Sequence, residues 1–441
     1  MTTRTLEGSS AQSRAQLGDA LAALRPGHSL ARVFYTDAAF FAADLEHVYY
    51  REWLFAGHDC EVADAGDWML VDIGTHSVIV VRTADGHLKA HHNTCRHRGF
   101  RVCDAPEGHA KRRFVCPYHQ WSYELDGSLA RARQMGDDFD PKSHGLRPAH
   151  VASVGGLVFV CVAREAPDVA PLAAMVQPYL APFELGRAKV AHASRIVEHG
   201  NWKLVMENNR ECYHCSASHP ELCRTFPEAP THTGGGSADD VAAIDRLVAE
   251  CEALGLPGRY RAAADAQYRV MRLPFIDDAR AMTLSGKPAV AQRLGRVPAE
   301  PNTGDLLFYH YPNMWSHFTS DHAITFRILP ISATETELVT RWLVHADAVE
   351  GRDYDLATLT EVWQATNAQD RALVERNQRG VASPAYEPGP YSPVHEEGVI
   401  QFVDWYRGTL AARLGGPAHE VVNPGSRTAP SGRGTARARS R

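Results

Sequence analysis

Two short segments, each with one cysteine and one histidine, place the strongest constraint on the fold of this chain. One residue separates Cys95 from His97, two separate Cys116 from His119, and 18 lie between His97 and Cys116. Each pair lies beside a predicted β-hairpin and therefore on a tight loop. Two such loops side by side can hold a metal centre through two sulfur and two nitrogen atoms. The surrounding chain is therefore expected to be a small metal-binding β-domain.

Two kinds of metal centre are compatible with this ligand set. A structural zinc ion often takes two cysteines and two histidines, but zinc fingers usually supply the cysteines from one segment and the histidines from another. Here each segment supplies one of each. That arrangement suits a [2Fe–2S] cluster in which one iron takes both cysteines and the other takes both histidines. We therefore favour the cluster over zinc.

The residues around the two loops have the pattern of an all-β domain. Apolar, β-rich runs at 68–73 and 78–81 precede a hairpin signal at Asp85-Gly86, and a second unit is closed by Asp126-Gly127. After about residue 171 the pattern is mixed, with helices predicted over 201–215 and 355–378 and strands over 323–329 and 338–344. The predicted class is therefore α+β. The predicted divisions of the chain are an N-terminal segment (1–45), the β-domain (46–165), an α+β domain (175–415) and a disordered basic tail (416–441).

Composition and charge narrow the class of protein. Hydrophobic residues make up 44% of the 441 residues and charged residues 22%, which excludes a disordered, collagen-like or coiled-coil protein. The net charge is −6, and the last 18 residues hold five arginines and no acidic residue. The rest of the chain is therefore distinctly acidic, which argues against a nucleic-acid partner. No run approaches the roughly 20 apolar residues of a membrane helix, and no signal-peptide pattern is found, so we expect a cytoplasmic protein without a membrane partner.

A second group of possible metal ligands lies in the α+β region. Glu211 and His214 are three residues apart and share one face of the predicted helix. His219 precedes a proline, so we expect the helix to end or bulge before it and its imidazole to turn towards His214. Asp370 falls on the apolar stripe of a second predicted helix, where a carboxylate needs a cation or several donors. Two imidazoles and one carboxylate with open positions match the facial triad of non-haem Fe(II) oxygenases.

The residues alone leave other interpretations of this group open. The two histidines could be ordinary side chains, and Asp370 could form an ion pair with Arg371 or Lys203. Cys212 and Cys215 form a Cys-x-x-Cys sequence that could bind zinc or undergo redox cycling. No second cysteine pair follows at zinc-site spacing, which weighs against zinc.

The first region resembles a known motif. Arg98-Gly99, Pro117 and Gln120-Trp121 accompany the cysteine–histidine pairs as they do in the Rieske motif of aromatic-ring-hydroxylating oxygenases. Respiratory Rieske proteins carry two further cysteines near the cluster, and Tyr118 occupies one of those positions here. The oxygenase type is therefore the better match.

The second region is similar to the catalytic domain of the same family, the Rieske non-haem iron oxygenases. The similarity lies in the segment from Trp202 to the His219-Pro220 pair and in the segment from Gln369 to Gly380. Within the family, the motifs at 207–215, 341–345 and 383–391 most resemble the glycine betaine monooxygenase branch. Ring-hydroxylating members usually have aspartate where this chain has Glu211, whereas carnitine- and betaine-type members use glutamate.

This resemblance implies an N-terminal all-β Rieske domain and a C-terminal helix-grip catalytic domain, an antiparallel sheet with helices. It implies a [2Fe–2S] cluster held by Cys95, His97, Cys116 and His119. It also implies a mononuclear Fe(II) held by His214, His219 and Asp370. Glu211 would link the centres by accepting N–H groups from His119 and His214, usually across a subunit boundary, so a homotrimer is expected. A separate flavin- or ferredoxin-type, NAD(P)H-dependent reductase would supply electrons, because this chain has no glycine-rich dinucleotide fingerprint.

The expected function is that of a terminal oxygenase component. It would use O2 to hydroxylate an N-methyl group of a quaternary ammonium compound such as glycine betaine, releasing formaldehyde and the demethylated amine. Aromatic faces hold such a cation, so Tyr309, Tyr311 and Trp315 are candidates for a cage, and Arg210 or His310 for the substrate carboxylate. The alternatives are an aromatic-ring-hydroxylating dioxygenase large subunit, or a zinc-stabilised or electron-carrier protein without oxygenase activity.

Overall fold

In a computed structural model of the protein, residues 14–227 and 237–415 are described. They form an N-terminal region of β-strands and a larger region in which helices cover an antiparallel sheet. This architecture confirms the predicted α+β class with an all-β N-terminal domain. The basic tail predicted over 416–441 lies outside the described residues.

The N-terminal region consists of two antiparallel sheets. Its strands are β1 (Leu54–His58), β2 (Asp67–Ile73), β3 (His76–Arg82), β4 (Leu88–His92), β5 (Glu107–His109), β6 (Arg113–Val115), β7 (Ser122–Glu124), β8 (Leu129–Arg131), β9 (Pro148–Val154) and β10 (Leu157–Cys161). Seven of these strands form one sheet in the order β1-β10-β9-β4-β3-β2-β5, and β6, β7 and β8 form the other. The loop between β6 and β7 carries Cys116 and His119, while Cys95 and His97 follow β4.

The two hairpin turns predicted from Asp-Gly pairs are present. Gly86 and Gly127 have φ angles of +81° and +87°, a left-handed conformation that residues with a Cβ rarely adopt. Gly127 also lies against a buried ring, because a Cβ at this position would be 2.6 Å from His91 Cε1. The turns are therefore determined by local sequence.

The second region is built on one sheet of seven antiparallel strands. They are β11 (Ala188–Glu198), β12 (Arg261–Ala262), β13 (Tyr268–Leu273), β14 (Asp305–His310), β15 (Met314–Phe318), β16 (Ala323–Ser332) and β17 (Glu335–His345). Their order in the sheet is β11-β17-β16-β15-β14-β13-β12. The strands predicted over 323–329 and 338–344 are confirmed as parts of β16 and β17.

Helices surround this sheet. They are α1 (residues 14–22), α2 (Val33–Thr36), α3 (Ala38–Asp44), α4 (Ala170–Leu180), α5 (Trp202–Asn209), α6 (Cys215–Ser218), α7 (Ala238–Ala253), α8 (Leu356–Val381) and α9 (Glu397–Leu414). Of the helices within the described ranges, none has the length and apolar character needed to cross a membrane. The helix predicted over 355–378 is confirmed as α8.

The central strands of the second sheet are buried on both faces. Every residue of β14 and β15 is buried, as expected for a sheet covered on two sides. Helices α5 and α8 pack on the sheet, and α9 packs on α5. On the other side Phe55 and Phe159 of the β-domain share a hydrophobic cluster with Phe308 and Phe318. The side-chain amide of Asn313 also exchanges two hydrogen bonds of 3.0 Å with the backbone of Phe55.

The N-terminal segment packs into the helical layer through a buried ion pair. Lys203 of α5 donates to the carboxylate of Asp44 at the end of α3, and both side chains are fully buried. Asp44 also accepts hydrogen bonds from Trp202 Nε1 at 2.9 Å and from the Tyr406 hydroxyl at 2.6 Å. These bonds hold α5, which leads into the candidate metal site, against the N-terminal segment.

Replacing Lys203 with methionine is expected to lower the free energy of unfolding by about 3–5 kcal/mol, because it leaves the Asp44 carboxylate buried without its cation. The measurement is the shift of the urea-unfolding midpoint. The double variant Asp44→Asn/Lys203→Met removes both charges and is expected to recover part of the loss. A double variant that loses the sum of the two single effects would show that the two charges are not coupled.

The helix predicted over 201–215 was wrong beyond Asn209. Helix α5 ends there, a turn follows, and the short α6 begins at Cys215. In the turn, a carboxylate oxygen of Glu211 accepts the backbone N–H of Tyr213, which replaces the helical hydrogen bond of that group. Glu211 and His214 therefore meet through a turn and not along a helix face.

Candidate metal centres and substrate cavity

Two side chains that flank the short helix α6 and a third from α8 converge at one point. His214 Nε2 and His219 Nε2 lie 3.0 Å apart. Asp370 Oδ1, from α8, is 2.9 Å from His219 Nε2 and 3.4 Å from His214 Nε2. His219 has φ −125° and ψ 67°, so the chain leaves the helix before it as expected. The structure thus brings together the three residues predicted as a facial triad.

This triangle fits a metal ion. An octahedral ion with ligands at about 2.1 Å separates neighbouring ligand atoms by about 3 Å, close to the three distances observed. Asp370 Oδ1 is buried, and no donor within the described ranges directs a hydrogen bond to it. A cation at the centre would satisfy this oxygen and the two imidazole nitrogens together.

Neither ion pair that was considered for Asp370 is formed. Arg371 pairs with Glu375 at 2.8 Å, and Lys203 pairs with Asp44. The site is instead rich in negative charge. Burial lowers the pKa of His214, but the carboxylates of Asp370 and Glu211 outweigh it and raise this pKa to about 9.

The histidines of the triad are each oriented by a second residue. Glu211 Oε1 lies 2.6 Å from His214 Nδ1, and Gln369 Oε1 lies 2.8 Å from His219 Nδ1. Gln369 is held in turn, because its Nε2 donates to Glu221 Oε2 at 2.7 Å. When each Nδ1–H donates to these oxygens, each Nε2 is left as the ligand atom that faces Asp370.

Replacing Gln369 with alanine is expected to weaken Fe(II) binding by about 10- to 100-fold, because the ring of His219 loses its orienting acceptor. The measurement is an anaerobic Fe(II) titration against a competing chelator. Gln364→Ala is the matched control, since Gln364 lies on the exposed face of the same helix and donates only to Thr360 Oγ1. Equal Fe(II) affinity of the two variants would contradict the orienting role of Gln369.

The Cys-x-x-Cys sequence does not supply metal ligands in this structure. His214, Cys215 and His219 are the group of potential ligands found in the described residues, with ligand atoms within 4.8 Å of one another. However, Cys215 is joined to Cys212 by a disulfide, and a metal needs the free thiolate. The zinc interpretation of Cys212 and Cys215 is therefore not supported.

The two loops of the β-domain also converge. Each loop is closed by a backbone hydrogen bond to its cysteine carbonyl, from Gly99 in one and Gln120 in the other. The rings of His97 and His119 are 4.6 Å apart between centroids. Cys95 (3% exposed) and Cys116 (1% exposed) are buried, whereas His97 and His119 are exposed. This arrangement fits a cluster with one iron inside the domain and the other at its surface.

Glu211 contacts only one of its two predicted partners within the chain. It lies against His214, but no hydrogen bond between it and His119 is present in the described structure. The link predicted between the two centres through Glu211 is therefore not formed between these residues of one chain.

A cavity opens from the triad towards the sheet. Its volume is about 1020 Å³ including the mouth, and its lining includes His214, His219, Asp370 and Tyr309. Trp363 and Phe226 form aromatic walls on either side of His317, with ring centroids 4.8 Å and 5.7 Å from that imidazole. One candidate cage residue, Tyr309, therefore reaches the cavity.

The structure does not place the other two cage candidates, Tyr311 and Trp315, in the lining of the cavity. Tyr311 lies in the core, with its ring 5.1 Å from that of Phe402, because the chain turns away after β14. Trp315 stacks on Phe326 at 5.1 Å and fills the space beneath α8. Neither residue lines the cavity.

Of the two residues predicted to bind a substrate carboxylate, Arg210 lies in the cavity lining and His310 does not. His310 is buried between Phe159 and Tyr268, and burial lowers its pKa to about 3. It is therefore neutral and has no access to the cavity.

Sequence reasoning missed several cavity residues. Trp363 lies three residues before Thr366 and seven before Asp370, and therefore on the same face of α8. Helical periodicity could have identified it. Phe226 and Tyr260 lie in loops, and Arg269 lies in a strand whose pattern carries no such signal. Only the tertiary structure places these three in the cavity.

Comparison with known proteins agrees with both regions. Residues 52–150 match the Rieske [2Fe-2S] domain family, and residues 185–412 match the catalytic domain of the ring-hydroxylating alpha subunit. These segments lie within the predicted divisions 46–165 and 175–415.

Related proteins cover nearly the whole chain. The chain is 44% identical over 422 residues to the glycine betaine monooxygenase oxygenase subunit of Chromohalobacter salexigens, covering 94% of this chain and 93% of that protein. It is 45% identical over 392 residues to the subunit of that name from Pseudomonas aeruginosa, covering 88% and 90% of the two chains. A carnitine monooxygenase oxygenase subunit of Escherichia coli is 36% identical over 42% of this chain and 51% of its own.

Solved structures share the fold. A quaternary ammonium Rieske monooxygenase in complex with gamma-butyrobetaine superposes with a TM-score of 0.67 at 21% identity, covering 89% of this chain and 98% of that one. A naphthalene 1,2-dioxygenase from Rhodococcus superposes with a TM-score of 0.66 at 18% identity, covering 90% and 98%. Because the family models match both regions and the relatives above cover most of its length, the chain belongs to the Rieske non-haem iron oxygenases, a family of oxidoreductases.

Proposed function

We propose that this protein is the oxygenase component of a monooxygenase that demethylates glycine betaine. The observation that carries the oxygenase chemistry is the triangle of His214, His219 and Asp370, which opens onto an aromatic-walled cavity. The substrate is proposed because relatives 44–45% identical over most of the chain are glycine betaine monooxygenase subunits.

The residues that would hold the two cofactors are those predicted from the sequence. Cys95, His97, Cys116 and His119 would hold a [2Fe–2S] cluster, and His214, His219 and Asp370 would hold Fe(II). When bound, the cluster supplies electrons singly and the ferrous ion activates O2 at its open positions.

The surrounding residues prepare the site for this chemistry. Glu211 and Gln369 hold the two imidazoles in the tautomer that presents Nε2. Trp363 and Phe226 exclude water from the wall next to the triad and offer π faces to a methylated cation.

The proposed reaction consumes glycine betaine, O2, two electrons and two protons. One N-methyl C–H bond becomes C–OH, and the second oxygen atom leaves as water. The hydroxymethyl group then collapses as its O–H proton moves to nitrogen and the C–N bond breaks. The products are formaldehyde and dimethylglycine.

We also propose that the enzyme is cytoplasmic and that it works together with other protein chains. A flavin- or ferredoxin-type reductase would deliver electrons from NAD(P)H. A homotrimer is proposed because Glu211 has no contact with His119 within its own chain. Phe100 (45% exposed) and Tyr118 (50% exposed) beside the exposed cluster histidines offer an apolar surface for such a contact. A related quaternary ammonium Rieske monooxygenase is described as transferring electrons between subunits.

A single-turnover experiment tests the proposed function without the reductase. The iron-loaded enzyme is reduced with dithionite, desalted, and mixed with O2 and one substrate from a panel of glycine betaine, carnitine, choline and naphthalene. We expect formaldehyde and dimethylglycine from glycine betaine and no cis-diol from naphthalene. A cis-diol would favour the ring-hydroxylating alternative, and a colourless, zinc-containing protein would exclude both oxygenase functions.

A further inference from the structure

We infer that Arg210 and Arg269 form an anion site that holds the carboxylate of the substrate, so that the cavity selects quaternary ammonium compounds that carry a carboxylate. This inference rests on the proposed function and deepens it, because it assigns the residues that bind the end of the substrate opposite its N-methyl groups. The site lies at the start of α9, in the same cavity as the metal triad.

Arg210 carries a buried charge, and no carboxylate among residues 14–227 and 237–415 pairs with it. The residue is 4% exposed, and its Nε donates to the Tyr311 hydroxyl at 3.1 Å. Neither Nη1 nor Nη2 has a hydrogen-bond partner in the described structure. A guanidinium is always charged in proteins, and burying a charge without a partner is costly. A bound anion would remove this cost.

Arg269 brings a second guanidinium to the same place. Its Nη1 donates to Gln401 Oε1 at 2.5 Å, while its buried Nε has no hydrogen-bond partner. The ion pairs formed by residues 14–227 and 237–415 include neither Arg269 nor Arg210. Two cations are thus present without a protein carboxylate to neutralise them.

Both guanidinium groups rest against one ring. Arg210 Cζ is 3.6 Å and Arg269 Cζ is 5.0 Å from the centroid of Tyr309. Arg269 and Tyr309 are direct partners in the pairing of β13 with β14. The aromatic face offsets part of the charge, but the two cations repel each other. A carboxylate has two oxygens and can accept from both guanidiniums at once.

The start of α9 is shaped to admit these arginines. A Cβ at Gly398 would lie 2.2 Å from the Arg210 carbonyl oxygen, 3.0 Å from Arg269 Nη2 and 3.1 Å from Arg210 Nη2. Only glycine therefore allows both side chains to reach the first turn of the helix. The N-terminus of α9 also carries a partial positive charge, which further favours an anion.

Glu397 also lines the cavity but does not neutralise the arginines. It forms no ion pair with either of them, and its buried Oε1 has no hydrogen-bond partner in the described chain. Burial raises the pKa of Glu397 to about 7, so this group carries at most one negative charge against two guanidinium charges. The balance of charge in this part of the cavity remains positive.

The two ends of the cavity match the two ends of a zwitterion. The arginines would take the carboxylate, and the aromatic walls formed by Trp363 and Phe226 would receive the trimethylammonium group beside the triad. A substrate held in this way presents an N-methyl group, and not its carboxylate, to the metal-facing nitrogens of His214 and His219. Regioselective attack on the methyl group follows from this orientation.

The test compares three ligands on the iron-loaded enzyme under anaerobic conditions by calorimetric titration. Glycine betaine carries both charges, choline lacks the carboxylate, and 3,3-dimethylbutyrate keeps the carboxylate but replaces the nitrogen by carbon. In the wild type, we expect choline to bind about 10- to 100-fold more weakly than glycine betaine. In Arg210→Met, the affinities for glycine betaine and 3,3-dimethylbutyrate should fall by a similar factor, while the affinity for choline should not fall. The affinities of Arg210→Lys should lie between those of the wild type and those of Arg210→Met.

Arg272→Met is the matched control. Arg272 is a buried arginine on the same strand as Arg269, but it donates to the Pro257 and Thr303 carbonyl oxygens and lies outside the cavity lining. Its substitution should leave the ratio of glycine betaine to choline affinity unchanged.

The inference is overturned if Arg210→Met weakens glycine betaine and choline equally, or if the wild type binds choline as tightly as glycine betaine. The wild-type comparison decides the matter even if Arg210→Met does not fold. If the wild type makes formaldehyde from glycine betaine and Arg210→Met binds glycine betaine as tightly as the wild type does, the anion site is refuted and the proposed function is not. Wild-type enzyme that makes no formaldehyde from glycine betaine refutes the proposed function.

Discussion

Replacing Asp370 with alanine is expected to abolish formaldehyde formation and to lower the iron content by one equivalent per chain. Asp370 Oδ1 lies 2.9 Å and 3.4 Å from the two imidazole nitrogens and is the only anionic member of the triangle. Two neutral imidazoles alone hold Fe(II) weakly, because the carboxylate supplies the charge that offsets the dehydration of the ion. The measurements are iron analysis and single-turnover formaldehyde.

The visible spectrum separates this effect from unfolding. The cluster ligands lie in the other domain, so the Asp370→Ala variant should keep the absorption of an intact [2Fe–2S] cluster. Glu375→Gln is the control, because Glu375 lies on the same helix but pairs with Arg371, and it should retain full iron content. An Asp370→Ala variant that binds iron and turns over normally would exclude the proposed triad.

Replacing Glu211 with glutamine is expected to slow turnover by about 10- to 100-fold while both metal centres remain loaded. The carboxylate has two acceptor oxygens, one 2.6 Å from His214 Nδ1 and one bonded to the Tyr213 N–H. In the proposed trimer it must also accept from His119 of a neighbouring subunit. Glutamine replaces one of these acceptor oxygens with an NH2 donor, which would face an N–H donor and so break one of the contacts of the carboxylate.

Stopped-flow absorption of the cluster gives a direct measure of this change. In Glu211→Gln the cluster should still be reduced by dithionite, but its reoxidation in the presence of O2 and substrate should be slow. Glu335→Gln is the matched control, since Glu335 also pairs with a histidine, His199, at 3.3 Å but lies at the surface. Wild-type reoxidation in Glu211→Gln would rule out the link between the centres.

Features with a local cause were predictable from the sequence. The Asp85-Gly86 and Asp126-Gly127 turns form because only glycine readily takes the required backbone angles. The helix over 355–378 follows from its periodicity, which also put Asp370 on the buried face. The departure of the chain from helix before His219 follows from the proline after it.

Features that depend on distant neighbours were not predictable in this way. Helix α5 stops at Asn209 because the Glu211 carboxylate bonds to the Tyr213 backbone and to His214, and no propensity reveals that contact. Tyr309 and Trp315 are direct partners across β14 and β15, yet Tyr309 lines the cavity whereas Trp315 stacks on Phe326.

The amino-acid sequence by itself determined the family, the two sets of candidate ligands and the two-domain α+β organisation, since these depend on residue type and short spacing. Only the tertiary structure decided which side chains surround the substrate. His219 and Gln369 are 150 residues apart in the chain, and Arg210 meets Arg269 and Gly398 from three separate elements. Such contacts arise because close packing, and not local preference, determines which side chains line a cavity.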